Sequence, residues 1–182
     1  RTYEYDKLGK VAVIKEYPDF AAGSDTCIAK TYTYNEQDLV SSMVYKKGDT
    51  LLEEYAYEYD KNGNIIKKEE KNLTPKAEAN QTHVTKEYTY NALGRLVKTE
   101  ETDHKNKDAK TTIAYQYDKA GNRIKKTEGE EETSYTYNGL DQLLTAVTKQ
   151  EDKPKHQISY EYDMNGNQIK ETDAETDTIV VN

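Results

Sequence analysis

Three histidines, one cysteine and 34 carboxylates are the side chains of this sequence that could carry out chemistry. The histidines are His83, His104 and His156, and each stands alone in a polar stretch between the motifs described below. A metal site would need several such side chains to converge with carboxylates. Cys27 has no histidine near it in sequence that could activate its thiol as a nucleophile. We therefore predict exposed loop histidines and a small, partly buried cysteine.

Carboxylates are abundant, but no pair of them is marked out as catalytic. A glycosidase holds two carboxylates about 5 to 10 Å apart across a cleft, whereas the acidic stretch EGEEETS at 128–134 is more simply a charged loop. The Asp-x-x-Gly-Asn stretches superficially resemble calcium loops, yet they lack the alternating ligands and the closing glutamate of an EF-hand. We predict no enzyme activity, no cofactor and no metal, and we interpret these aspartates as turn caps.

Tyrosine is the third group with functional potential, since the chain has 17 tyrosines, one phenylalanine and no tryptophan. A row of exposed rings could stack on sugars. Alternatively, the rings pack on each other and on aliphatic side chains, where burial would contribute about 25 cal/mol per Å². Because the chain has little other large apolar surface, we favour packing and keep sugar binding as the alternative.

Most of the tyrosines belong to one repeated motif. Tyr-x-Tyr-(Asp/Asn) occurs seven times, at intervals of 20 to 31 residues, from positions 3, 32, 57, 88, 115, 135 and 160. The residue after the tyrosine pair alternates strictly between Asp and Asn. Every Asp copy has a glycine three positions later, but only one Asn copy does, which predicts divergent turns in the other two. The structural motif residues are Tyr3, Tyr5, Asp6, Gly9, Tyr32, Tyr34, Asn35, Tyr57, Tyr59, Asp60, Gly63, Tyr88, Tyr90, Asn91, Gly94, Tyr115, Tyr117, Asp118, Gly121, Tyr135, Tyr137, Asn138, Tyr160, Tyr162, Asp163 and Gly166. We predict a single array over 1–182, with two copies as its unit.

Each copy has the sequence of a β-hairpin. Tyr-x-Tyr places two rings on one face of a strand. The following Asp-Lys-Asn-Gly-Asn suits a three-residue loop with a bulge, in which glycine takes positive φ. In the copy YEYDKNGNIIKKEE this loop sets Tyr59 opposite Ile65. Tyr57 then faces Lys67. Seven such hairpins predict an all-β fold, one curled antiparallel sheet of about 14 strands.

The connections between the hairpins are polar and vary in length. They are predicted at 69–83, 101–110, 128–132 and 149–156, and two of them contain Pro75 and Pro154. Two Asn-x-Thr patterns, at 72–74 and 80–82, are interpreted as chance matches to the glycosylation acceptor. The differences in motif spacing are therefore assigned to loops along one edge of the sheet.

Composition limits the classes of function. The chain of 182 residues is 33% charged and 34% hydrophobic, with a net charge of −8 and interleaved lysines and acids. This describes a solvated surface and excludes a basic footprint for nucleic acid. No apolar run is long enough for membrane insertion, and one cysteine permits no internal disulfide. Since Arg1 lies just before a motif tyrosine, we interpret the chain as a fragment of a longer protein.

The stretches YEYDKNGNIIKKE, YTYNALGRLVKTE and YQYDKAGNRIKKTE resemble the YD repeat, also called the RHS repeat, and the resemblance covers residues 3–173. The family includes Gram-positive wall-associated proteins, RHS polymorphic toxins, shell components of insecticidal toxin complexes, and teneurins. The resemblance implies a long antiparallel sheet that winds into a spiral, or closes as a shell around a C-terminal toxin domain. We therefore expect a non-enzymatic scaffold segment of a secreted or cell-surface bacterial protein. Its expected partners are flanking repeats and an enclosed or presented toxin or effector domain.

A carbohydrate- or cell-wall-binding module is the alternative function, because some family members are described as binding carbohydrate through these repeats. The sequence lacks the Asp-Pro-x-Gly self-cleavage motif of the RHS core-associated segment, so neither shell closure nor self-cleavage is assigned to it. Choline-binding and clostridial-toxin repeats show a similar tyrosine-rich pattern. They are shorter and usually rich in Trp or Phe, so the absence of tryptophan favours the YD repeat.

Overall fold

The computed structural model of the chain describes residues 1–17, 27–74, 78–174 and 178–181. Its described residues form 15 β-strands and a short 3-10 helix, Glu78–Asn80. The strands are β1 Thr2–Tyr5, β2 Val11–Glu16, β3 Ile28–Tyr34, β4 Val40–Lys47, β5 Thr50–Tyr59, β6 Ile65–Asn72, β7 Thr82–Tyr90, β8 Leu96–Asp103, β9 Ala109–Tyr117, β10 Arg123–Glu128, β11 Glu131–Tyr137, β12 Leu143–Gln150, β13 Lys153–Tyr162, β14 Gln168–Asp173 and β15 Thr178–Val181. The all-β prediction is confirmed, and β15 lies beyond the predicted hairpins. No helix among the described residues is long and apolar enough to cross a membrane.

The strands follow chain order across one antiparallel sheet, from β1 to β15. By its internal contacts the chain divides into two compact units, 1–89 with 100–110 and 90–99 with 111–182. The first unit contains the hairpins β1–β2, β3–β4 and β5–β6. The second contains β9–β10, β11–β12 and β13–β14. Each unit is thus a row of hairpins whose turns carry the Asp and Asn residues of the motif.

The strands do not surround a buried core, because no described residue is buried. In the strands other than β1, the motif tyrosines are half-buried and alternate with exposed residues. In β11, for example, Tyr135 and Tyr137 are half-buried, whereas Ser134 and Thr136 are exposed. This is the period of two expected when one face of a strand is better covered than the other. Contacts along the sheet therefore have to supply the stabilisation that a core supplies elsewhere.

The register of the hairpins differs from the prediction by one residue. The predicted pair Tyr59–Ile65 is confirmed, but Tyr57 lies opposite Lys68 and not Lys67, because a bulge follows the first pair. A register shift next to the turn also occurs in the other five hairpins whose pairing is described. A bulge adds one residue to one strand, and the strand continues on the opposite alternation. It therefore decides which residues of the return strand share a face with the tyrosines.

The polar connections are shorter than predicted, because the strands extend into them. The predicted connection at 128–132 is reduced to a turn at 129–130, and that at 149–156 to a turn at 151–152. Charged residues in these extensions pair along the sheet, as Lys125 Nζ does with Glu132 Oε2 at 2.5 Å. Opposite-charge cross-strand pairs stabilise a sheet by roughly 0.2–1 kcal/mol each. Pro154 lies in β13 at a register shift, where its missing N–H is tolerated, and Pro75 lies outside the described residues.

Candidate functional site

The motif turns form the most regular side-chain arrangement of the protein. In the turn between β5 and β6, Asp60 Oδ1 accepts hydrogen bonds from the backbone N–H groups of Asn62 and Asn64, each at 2.9 Å. Asn64 Nδ2 donates to Asp60 Oδ2, also at 2.9 Å. These hydrogen bonds, led by that of the Asn64 side chain, lower the pKa of the Asp60 carboxyl. The predicted capping geometry is therefore present, and one carboxylate closes the turn.

The Asn copies build the same turn as the Asp copies, so the prediction of divergent turns at Asn35 and Asn138 is wrong. Each Asn accepts a backbone N–H from its copy's fourth turn residue, Asp38 at 3.0 Å and Asp141 at 3.1 Å. Both aspartates take positive φ, 66° and 60°, where the Asp copies have glycine. Asp is among the few residues that tolerate this left-handed conformation. The hairpin geometry is thus kept without glycine.

The second tyrosine of the motif links one hairpin to the hairpin before it. Its hydroxyl donates to a backbone carbonyl at the start of the preceding return strand, at 2.7 to 2.9 Å, in five copies within the two units. The pairs are Tyr34 with Val11, Tyr59 with Val40, Tyr117 with Leu96, Tyr137 with Arg123, and Tyr162 with Leu143. A half-buried tyrosine needs a partner for its hydroxyl. The repetition of this contact, here called the tyrosine ladder, shows that the ring joins neighbouring hairpins.

In three hairpins of the second unit, the residue directly after the turn makes a second link to the next hairpin. Arg95 Nη1 donates to the Asp118 carbonyl at 3.3 Å, and Gln142 Nε2 donates to the Gly166 carbonyl at 3.2 Å. Asn122 Nδ2 donates to Asp141 Oδ1 at 2.7 Å. Neighbouring turns of the second unit are therefore connected side by side as well as through the ladder.

Cations cover several tyrosine faces, which differs from the ring-on-ring and aliphatic packing expected from the sequence. The Arg123 guanidinium lies 4.7 Å from the centroid of Tyr135 and 5.6 Å from that of Tyr115. Four further pairs place Lys10 over Tyr34, Lys30 over Tyr45, Lys68 over Tyr55, and Arg95 over Tyr117. A cation over a ring face contributes about 0.5–1 kcal/mol at exposed sites. These faces are consequently occupied by the protein's own side chains.

The motif tyrosines do not all share one environment. The rings of Tyr57 and Tyr59 lie 6.4 Å apart, centroid to centroid. Burial raises the pKa of Tyr59 and Tyr160. Tyr3 and Tyr5 on β1 are 48% and 62% exposed. Sequence position alone therefore does not decide how well a motif ring is covered.

A histidine pair was missed by the sequence analysis. His83 lies within β7 and His104 directly follows β8, and their ring centroids are 4.4 Å apart. The placement in loops is confirmed for His104, which lies in the turn after β8, but is wrong for His83 and His156, which lie within β7 and β13. His83 Nε2 lies 2.7 Å from Glu69 Oε1. The pair extends a polar network over β6 and β7 in the first unit.

His104 also stands between a hydroxyl and a carboxylate. Its Nε2 is 2.8 Å from Thr85 Oγ1, and its Nδ1 is 2.7 Å from Asp108 Oδ1. A nucleophile, a base and an orienting acid have this order in hydrolases. However, both contacts are exposed, whereas such catalysis depends on a water-excluded site with oxyanion donors. We therefore interpret these hydrogen bonds as structural contacts that hold the turn after β8 against β7.

Metal coordination has no geometric support in the described ranges. Among these residues no group of three His, Cys, Asp or Glu side chains is placed to hold a metal ion. Cys27 is a free, half-buried thiol just before β3. The residues of the motif turns and of the ladder donate and accept hydrogen bonds within and between hairpins.

Comparison with known proteins agrees with this arrangement. Residues 4–178 match the family model described as Teneurin YD-shell. No curated protein matches the chain. A solved structure of the Photorhabdus luminescens Tc holotoxin pore with a TccC3 mutation is similar, with 17% identity and a TM-score of 0.48 over 94% of this chain. Crystal structures of TcdB2-TccC3-TEV and TcdB2-TccC3-Cdc42 show 16% and 14% identity, with TM-scores of 0.39 and 0.40 over 94% and 91% of this chain.

This chain spans 11% of each of those three chains. The family match, by contrast, extends over nearly all of its 182 residues. The matched range contains the six motif copies that begin at residue 32 and beyond. The resemblance to the YD repeat is thereby confirmed, the role of the fold is structural, and the chain belongs to the Teneurin YD-shell family.

Proposed function

We propose that this chain is a scaffold segment of a secreted or cell-surface protein, in which its seven hairpins form one array and continue into flanking repeats. The array is part of a wall that encloses or presents a toxin or effector domain located C-terminal to it. Membership of a shell-forming family supports this role. So does the use of the motif residues, since the second tyrosines and the residues after the turns contact neighbouring hairpins.

The tyrosine ladder is the observation that carries the proposal. A binding module would present its repeated side chains to a ligand. Here the five hydroxyls of the ladder are bonded to backbone carbonyls of the chain itself. Repeats that contact mainly their neighbours are the principle of extended repeat scaffolds. The repeated tyrosine hydroxyls therefore hold neighbouring hairpins of the sheet together.

Protease protection in the full-length protein tests the enclosure. The C-terminal domain should resist a broad-specificity protease in the intact protein. It should become sensitive when the wall is weakened by Arg123→Ala with Tyr137→Phe. Tyr5→Phe is the matched control, because Tyr5 is 62% exposed and lies outside the ladder. A C-terminal domain cut as fast in the intact protein as alone would contradict the enclosure.

The carbohydrate-binding alternative has less support, because cations cover six of the tyrosine faces that a sugar would need. A glycan array and a peptidoglycan pull-down test it directly. Saturable binding that is lost on Tyr→Ala substitution at Tyr3 and Tyr5, the exposed motif rings, would restore it. We expect no saturable binding. Recovery of the full-length protein from culture medium or the cell surface, and not from the cytoplasm, tests the proposed location.

A further inference from the structure

The turn between β11 and β12 begins with an asparagine that is followed by glycine. Asn138–Gly139 is one of three Asn-Gly pairs in the chain, and the others lie at 62–63 and 165–166. Such a pair can react with itself, because glycine has no Cβ to keep its nitrogen from attacking the asparagine side-chain amide. The pairs hold different places, since Asn138 is the first residue of its turn, whereas Asn62 and Asn165 are the third.

The side-chain carbonyl of Asn138 is bound by two backbone donors. Its Oδ1 accepts the N–H of Leu140 at 2.9 Å and the N–H of Gln142 at 3.0 Å. The ring closed by the first hydrogen bond contains the Gly139 peptide, so the side chain is folded back over the Gly139 nitrogen. Two N–H groups on one carbonyl oxygen also form the arrangement of an oxyanion hole, which stabilises the negative charge that develops there during nucleophilic attack.

The Gly139 nitrogen is free to attack. Among the described residues none accepts a hydrogen bond from its N–H, and Gly139 is exposed, so water and hydroxide can reach it. The nitrogens of the other two pairs are engaged. Gly63 donates to the Asp60 carbonyl and Gly166 to the Asp163 carbonyl, each at 3.1 Å. Attack by either of those nitrogens would first have to break a hydrogen bond of its turn.

The other two Asn copies bind their side-chain carbonyl in the same way but lack the glycine. Asn35 Oδ1 and Asn91 Oδ1 each accept two backbone N–H groups, all at 3.0 Å. They are followed by Glu36 and Ala92, whose Cβ atoms hinder the attacking nitrogen. Within the described turns, only Asn138 combines a doubly bound side-chain carbonyl with a following glycine.

We propose that Asn138 is a site of spontaneous deamidation, which its own folded turn promotes. The Gly139 nitrogen loses its proton to hydroxide and forms a bond to Cγ of Asn138. The Cγ–Nδ2 bond then breaks, and ammonia leaves with a proton taken from water. A second water reopens the succinimide ring at either carbonyl, which gives aspartate or isoaspartate at position 138. The net reaction consumes one water and releases one ammonia. This inference does not depend on the proposed scaffold role.

The modification removes a link between two neighbouring hairpins. Asn138 Nδ2 donates to Gln142 Oε1 at 2.7 Å, which directs Gln142 Nε2 to the Gly166 carbonyl at 3.2 Å. A carboxylate at position 138 has no N–H to donate. The glutamine amide then turns its nitrogen towards the carboxylate, as Asn122 Nδ2 donates to Asp118 at 3.1 Å. Its oxygen consequently faces the Gly166 carbonyl, and the contact with the hairpin β13–β14 is lost.

Peptide mapping by mass spectrometry of the 182-residue chain, incubated at neutral pH, tests the proposal. In enzymes one oxyanion donor contributes about 10²–10³-fold to the rate. Because this turn is exposed, we expect a smaller advantage, about tenfold, for Asn138 over Asn62 and Asn165. In denaturant the three rates should converge, since all three share the same dipeptide. Reaction at Asn138 no faster than at the other two in the folded chain would overturn the proposal.

Gly139→Ala is the matched variant, because its φ is not positive and an added Cβ meets nothing within 4 Å. It should keep the fold and slow deamidation at Asn138 alone; an unchanged rate would also overturn the proposal. Asn138→Asp supplies the product directly. Amide hydrogen exchange over 163–167 should rise in it by about twofold to tenfold, as in Gln142→Ala, because one hydrogen bond is lost. Unchanged exchange in Asn138→Asp would disprove the loss of the link.

Discussion

Removal of one hydroxyl from the tyrosine ladder should weaken the junction between two hairpins. In Tyr137→Phe the ring stays and only the 2.8 Å hydrogen bond to the Arg123 carbonyl is lost. A typical intramolecular hydrogen bond contributes about 0.5–1.5 kcal/mol net. Tyr137 is half-buried, and burial raises the pKa of its hydroxyl. We therefore expect the middle of that range, about 1 kcal/mol, or about fivefold in the folded-to-unfolded ratio.

The assay combines denaturant unfolding of the chain with hydrogen exchange of individual amides. Exchange is needed because repeat arrays can open locally without unfolding as a whole. Tyr5→Phe is the matched control, since Tyr5 holds the same motif position, is 62% exposed, and is not one of the five ladder tyrosines. In Tyr137→Phe, exchange should rise by about fivefold at amides of β10 and β11 and stay unchanged in the first unit.

Equal behaviour of the two variants would show that the Tyr137 hydroxyl does not stabilise the junction. If Tyr137→Phe and Tyr5→Phe had the same small effect, the ladder would be a geometric coincidence of half-buried rings. The junctions would then depend on backbone pairing alone. A loss many times larger than 1 kcal/mol would also count against the account, because it would mean that the ring itself is displaced.

Three further substitutions test other parts of the site. Arg123→Lys should cost about 0.5–1 kcal/mol in denaturant unfolding, because a lysine ammonium can cover only one of the two rings that the guanidinium contacts. Gly121→Ala, with φ of +108° and a Cβ against Arg95, should lower the melting temperature more than Gly9→Ala, which meets nothing. The Asn167 side chain lowers the pKa of Asp163, so the stabilisation by this carboxylate is complete above its ordinary pKa of about 4 and is lost as pH falls through the lower folded value. Asp163→Asn should therefore flatten the acid limb of a stability–pH curve, and an unchanged limb would contradict the assignment.

The repeat made the fold predictable at the level of single hairpins. Tyr-x-Tyr predicted strands with one tyrosine face, and Asp-x-x-Gly-Asn predicted the loop that Asp60 caps. Both signals are local, since they depend on side-chain alternation and on turn chemistry within a few residues. The pair Tyr59–Ile65 followed from them directly. The pairing of residues further from the turn, such as Tyr57 with Lys68, depends on the bulge that follows the first pair.

The bulge also explains why the histidine pair was missed. Counting one extra residue on the return strand places His104 opposite His83 in the hairpin that turns at Asn91, and the His104 N–H indeed donates to the His83 carbonyl at 2.9 Å. If the bulge residue is not counted, His83 faces Asp103, and the two histidines are not predicted to be neighbours. The aspartates at positive φ were unpredictable for a different reason. Their role depends on Lys10 and Asn122 of another hairpin, and a local turn pattern contains no such information.

A cryo-electron microscopy structure of the full-length protein, at a resolution that shows tyrosine side chains, is the decisive test of the scaffold role. We expect the hydroxyls of Tyr117, Tyr137 and Tyr162 to lie on the carbonyls of the preceding return strands. These hairpins should form a continuous wall that encloses or presents the C-terminal domain. Tyrosine rings turned away from those carbonyls, with their faces open to a bound glycan, would contradict it.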